Sequence, residues 1–163
     1  MAAKEGREMS EHRARIHWVK ESASFEYKEY NREHRWTFKN GTVVHAAAAP
    51  KFLGSEECVD PEETLVTAIS SCHMLTFLAL CARKGIVVEK YDDDAIGYLE
   101  PNENKKLAIT RVALRPRIVF APGHQPGAEA LAELHEKAHN ECFIANSVLT
   151  RVTIEEPAMN PTH

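Results

Sequence analysis

A chain of 163 residues with 44% hydrophobic content and a formal charge of −4 has the size of one ordinary domain and enough apolar mass for a core. That balance excludes global disorder, and a mildly acidic surface has little attraction for a phosphate backbone, so no nucleic-acid partner is expected. The first fifteen residues are too charged for a secretory signal, and the longest apolar stretch, residues 74–82 with Thr76 inside it, is too short to cross a bilayer. The expectation is a soluble, cytoplasmic protein with no membrane partner.

Residues 1–13 are polar and expected to fray. Residues 15–30 alternate loosely through Ile16, Trp18, Phe25 and Tyr27, which predicts one or two strands. Asn40-Gly41 is a strong hairpin signal between predicted antiparallel strands at 35–39 and 42–47. Residues 50–59 read as a loop. Asp60-Pro61-Glu62-Glu63 then starts a helix: an N-cap aspartate, a proline at the first helical position and a glutamate at the capping-box position. The helix should run to about Lys84, where Gly85 stops it, a length of ~35 Å. It is apolar on nearly all sides after Cys72, the mark of a buried spine.

Two strands are predicted next, at 86–91 and 95–99, interrupted by residues 92–94. After a turn at 101–106 comes a long strand from Leu107, with a slip in register near Thr110-Arg111 and a continuation at 118–120. A loop at 121–127 precedes a second helix over 128–140, its inner face Ala130, Leu131, Leu134 and Ala138. Val148, Val152 and Ile154 mark a final strand. Antiparallel-looking strands with two inserted helices make the fold α+β, one domain over residues 1–163.

The chain has four cysteines, Cys58, Cys72, Cys81 and Cys142. None forms a CxxC, so a metal site has no paired ligand spacing behind it. Cys81 reads as inert core packing, and so does Cys58, though its loop position leaves it exposed and open to oxidation. Cys72 and Cys81, nine apart on one helix, point to opposite faces and cannot pair locally. Cys72 lies eleven positions past Pro61, beyond the reach of the helix dipole, so a reactive Cys72 needs a cation from elsewhere.

The segment DPEETLVTAISSCHM, with a glutamate ten residues before a mid-helix cysteine, resembles the first-cysteine motif of the OsmC/Ohr family. AHNECFIANS resembles its second-cysteine motif, and YNREHRWTFKNG its arginine-bearing N-terminal stretch. The match is nearer the broad OsmC-like branch than strict Ohr, because Phe143 stands where Ohr members carry proline, and the N-terminus is longer. The resemblance implies antiparallel sheets wrapped around long central helices in an intertwined homodimer. It implies Cys72 as the peroxidatic thiol, Cys142 as the resolving thiol, Arg32 as the cation beside the Cys72 thiolate and Glu62 as the carboxylate that orients Arg32. It also implies an organic hydroperoxide substrate and a dithiol reductant, such as a lipoylated protein. No cofactor or metal is called for.

Taken alone, Glu62 is a favourable helix-start carboxylate and Cys142 a packed helix-end cysteine. Arg35, three residues past Arg32, competes for its role. His73 reads as structural, since consecutive helix residues do not share a face. Glu62 and Cys72 stand ~15 Å apart along one helix, so a guanidinium serving both implies a second copy of that helix and hence a two-fold dimer. A non-catalytic OsmC-like module that binds a small ligand or a partner is the competing reading.

Overall fold

A computed structural model describes residues 9–155. Most of the expected frayed end, residues 1–8, therefore lies outside the described residues. The chain divides into two compact units, residues 1–61 and 62–163.

In the first unit, β1 (Ala14–His17), β2 (His34–Phe38) and β3 (Val43–Ala46) form an antiparallel sheet in that order. The hairpin turns where Asn40-Gly41 predicts it. Gly41 takes a positive φ of 85°, a conformation that costs glycine little, and the Asn40 side chain accepts a hydrogen bond from the Thr42 N–H at 3.0 Å. Of the one or two strands expected over residues 15–30, the structure has one, β1, and residues 18–30 carry none. There the Asn31 amide bonds Val19 O and the Glu21 N–H, both at 2.9 Å, and the chain turns at Glu26, whose carbonyl accepts from Glu29 and Tyr30. The aromatic alternation reflects a cluster of Trp18, Phe25, Tyr27 and Tyr30, with ring centroids 5.1 to 6.5 Å apart, and not a pleat. The loop at 50–59 contains one 3-10 turn, Pro50–Phe52. It folds back so tightly that a Cβ on Gly54 would meet the Ala48 carbonyl oxygen at 1.5 Å.

The second unit is built on α1 (Pro61–Arg83), which stops at Gly85 with a φ of 69°. Five strands and a second helix follow: β4 (Val88–Asp93), β5 (Ile96–Pro101), β6 (Leu107–Leu114), β7 (Pro116–Phe120), α2 (Ala128–Glu141) and β8 (Arg151–Ile154). β4 pairs with β7, while β5, β6 and β8 form a separate sheet. The predicted slip sits at Thr110: Tyr98 faces Arg111 and Leu99 faces Ile109, leaving one extra residue in β6.

Four expectations need correction. β7 does not extend β6's ladder but turns away to β4; Pro116 has no N–H to give, and the Arg115 N–H is held at the corner by Asp93 Oδ1 at 2.6 Å. β4 runs through Asp92 and Asp93 without interruption, because Lys90 pairs with Asp92 and Asp93 serves that corner. β8 is parallel to β6, since the long connection through α2 returns the chain in the same direction. Val148 precedes it. On α2, Ala130 is exposed, whereas Leu131, Leu134 and Ala138 face the core as expected and His135 joins them.

The α1 helix serves two apolar clusters. Phe77, Leu80 and Cys81 pack with Phe120, Leu134 and Ala138, and Ile69 packs with Val112 and Leu114. The covered residues 69, 73, 77 and 80 follow the 3.6-residue period. The helix is not buried all round within one chain: Leu75, on another face, is 60% exposed. By length and composition alone α1 is apolar enough to cross a membrane, with a mean hydropathy of 1.8 over its most apolar window. Only 28% of that window is buried within the chain.

Candidate active site

The open face of α1 is the wall of a cavity of about 740 Å³. Ala68, Ser71, Cys72, Leu75 and Ala79 line it from the helix, and Phe143, Ile144 and Asn146 line it from the segment after α2. Thr76 also faces it, but its hydroxyl is spent on the Cys72 carbonyl at 2.9 Å, so the wall stays apolar. Arg83 and Glu141 add charge to the lining.

Cys72 is half-buried on this wall, and Cys142 is buried at the C-terminal cap of α2. The two thiols are neighbours, near enough for Cys72 to act on the ionisation of Cys142. Burial first, and then the neighbouring Cys72 side chain, raises the Cys142 thiol above its ordinary range, against an opposing pull from the backbone N–H groups of Ala145 and Ile144. Ala145 N–H points at Cys142 Sγ at 3.4 Å.

The second-cysteine segment is held by a residue whose work sequence reasoning did not assign. The Asn146 side-chain amide donates to Asn140 O at 2.9 Å and Cys142 O at 3.0 Å, and its backbone N–H also bonds Cys142 O. This ties the chain on both sides of Cys142 into one tight turn. Asparagine four beyond the cysteine was the visible signal. Phe143 is left 81% exposed.

Behind Cys72, on the closed face of α1, His73 is 1% exposed. Its Nε2 lies 3.0 Å from His135 Nδ1, the two rings stack at 5.3 Å with 9° between planes, and Phe77 stacks on His135 at 4.5 Å. Burial above all, then the neighbouring His135 and His139, pushes His73 down to about 4. His135 is also lowered by burial, though Asp93 opposes this. Nothing in the local sequence marks His135 as a partner of residue 73.

Glu62 stands in the first turn of α1, ten residues before Cys72. Its Oε2 is buried, with no hydrogen-bond partner among the described residues. In the first unit, Arg32 donates to Tyr30 O at 2.9 Å and Tyr27 O at 2.6 Å, and its guanidinium lies 4.0 Å from the Tyr30 ring centroid. These contacts orient one edge of the guanidinium, beside an aromatic cavity of about 750 Å³. Arg35 is exposed on β2. Cys81 is buried, which raises its thiol, with Lys84 opposing, and Cys58 is half-buried rather than exposed. Among the described residues, no three His, Cys, Asp or Glu side chains cluster to hold a metal ion.

The chain thus combines an α+β fold with two neighbouring thiols beside an apolar cavity. The family model for OsmC-like protein matches residues 54–156, and the chain belongs to that family. A solved OsmC-like protein of unknown function from Vibrio cholerae is 43% identical, over 91% of this chain and all of that one, with a TM-score of 0.87. The uncharacterized protein YmaD of Bacillus subtilis is 24% identical over 77% of this chain and 84% of its own. An organic hydroperoxide resistance protein from Legionella pneumophila shares the fold, with a TM-score of 0.67 over 92% of this chain and 97% of that one, at 17% identity.

Proposed function

We propose that this protein is a cysteine-based peroxidase for organic hydroperoxides. The observation that carries the reading is the neighbouring placement of the Cys72 and Cys142 thiols at an apolar cavity. The Cys72 thiolate attacks the terminal peroxide oxygen, the O–O bond breaks, and the alkoxide takes a proton to leave as alcohol. Cys72 is now a sulfenic acid. Cys142 attacks its sulfur, hydroxide leaves and is protonated to water, and a disulfide remains. An external dithiol, such as a lipoylated protein, returns both thiols by exchange and is itself oxidised.

In this reading Arg32 stabilises the Cys72 thiolate and the developing alkoxide. Glu62, whose buried oxygen lacks a partner, orients Arg32 through a charge-assisted pair. The ~15 Å between Glu62 and Cys72 along α1 favours a homodimer in which the two residues come from different copies. Residues 1–163 then work as one domain in the cytoplasm.

The test is a thiol count. After one equivalent of cumene hydroperoxide under native conditions, denatured protein should have lost two of four thiols, with a Cys72–Cys142 linkage in the peptide map. Retention of all four would reject the peroxidase and leave a ligand-binding module.

A further inference from the structure

The closed face of α1 carries a polar tie that the proposed chemistry does not use. His73 and His135 are buried, stacked and hydrogen-bonded at 3.0 Å, in surroundings where burying polar groups is costly. One follows Cys72 directly on α1. The other lies seven residues before Cys142 on α2, ~10 Å along the axis. Between His135 and Cys142 the helix is continuous to Glu141, and the Cys142 N–H caps His139 O at 3.3 Å. A displacement of α2 at His135 is therefore passed to Cys142 through rigid backbone.

His73 Nδ1 has no partner among the described residues. The neutral tautomer with its proton on Nε2 lets His73 donate to His135 Nδ1, and leaves a bare lone pair rather than an orphaned N–H. The facing groups are His135 and His139 from α2 and Tyr91 and Asp93 from β4. Burial keeps His73 neutral far below pH 7, so the bond persists through the neutral range.

We propose that the His73–His135 hydrogen bond sets the seating of α2 on α1, which makes both histidines positioning residues for attack of Cys142 on Cys72. The bond fixes where Cys142 Sγ stands when Cys72 becomes electrophilic, and sulfur–sulfur attack is sensitive to such placement. The proposal rests on the reading that Cys142 resolves Cys72. It is testable without peroxide.

The probe is 5,5′-dithiobis(2-nitrobenzoate), used on the native full chain carrying Cys58→Ser. Cys72 attacks the reagent and releases one 5-thio-2-nitrobenzoate. The Cys142 thiolate then attacks the Cys72 sulfur, closes the disulfide and releases a second. The first phase scales with reagent concentration, and the second does not. His73→Leu is expected to slow the second phase at least tenfold while the first stays within twofold. His73→Gln, which places an amide N–H at the Nε2 position, is expected to return the second phase to within threefold of the parent. His135→Phe, which keeps the stack on Phe77 but removes the acceptor, should match His73→Leu and guards against a leucine variant that fails to fold. An unchanged second phase in His73→Leu and His135→Phe, or equal slowing by Leu and Gln at position 73, would overturn the proposal. Normal second-phase release in a protein that does not reduce peroxide would count against the proposed function alone.

Discussion

Two faces of one helix do opposite work in this protein. Along Ile69, His73, Phe77 and Leu80, α1 is sealed by α2 and the strands, and Cys81 beside them is a buried core thiol. Along Ser71, Cys72, Leu75 and Ala79 it borders an open apolar cavity, and Cys72 meets a second thiol there. Both faces are equally greasy in sequence. What separates them is which one the rest of the chain covers, so burial and not residue type tells the two faces apart.

The sharpest way to break this comparison is to exchange the roles of the two α1 cysteines. Cys72→Ser should abolish peroxide turnover, a loss of at least about a thousandfold, because a hydroxyl at this site is not ionised near neutral pH. Cys81→Ser should leave kcat/KM within about threefold and lower stability instead, by about 1–3 kcal/mol for a hydroxyl in an apolar site. Comparable activity losses in both would mean that the faces do not divide the work.

Truncation sharpens the same contrast energetically. Phe77→Ala should cost about 3–5 kcal/mol in denaturant unfolding, the range for a fully buried phenylalanine that leaves a cavity. Leu75→Ala removes an exposed side chain and should cost within about 1 kcal/mol. A larger loss at Leu75 that depends on protein concentration would reveal a partner subunit on the open face.

Acid gives a somewhat smaller effect confined to the closed face. His73 is held at about 4 in the fold against an ordinary value of 6.5. The unfolded chain therefore binds a proton that the native state refuses between those pH values, so stability is full above pH 6.5 and falls as pH drops to about 4. The loss is roughly 3 kcal/mol, at about 1.4 kcal/mol per unit. Unfolding curves for His73→Gln should lack this component. An identical pH slope in that variant would show that His73 does not titrate in this window.

Much of the fold is legible locally. Asp60-Pro61 and Gly85 bound α1 within a residue or two, Asn40-Gly41 turns the first hairpin, and the odd spacing at Thr110 marks the bulge. Two of the misreadings share one cause. The aromatic residues at 18–30 alternate like a strand but wrap a loop pinned by Asn31, and β7 looks collinear with β6 but turns at Arg115 to reach Asp93 and β4. In both places a side chain supplies the backbone's hydrogen bonds, and strand periodicity does not register such exchanges.

The order of the residues therefore settled where the helices and turns lie and, through the cysteine motifs, which family the chain belongs to. Those signals act over a few neighbouring residues. Only the tertiary structure decided that Cys72 faces the cavity while Cys81 is sealed, that β8 runs parallel to β6, and that His73 meets His135, 62 positions away. Such pairings rest on closing long loops and filling one shared volume, and no short window of sequence contains that information.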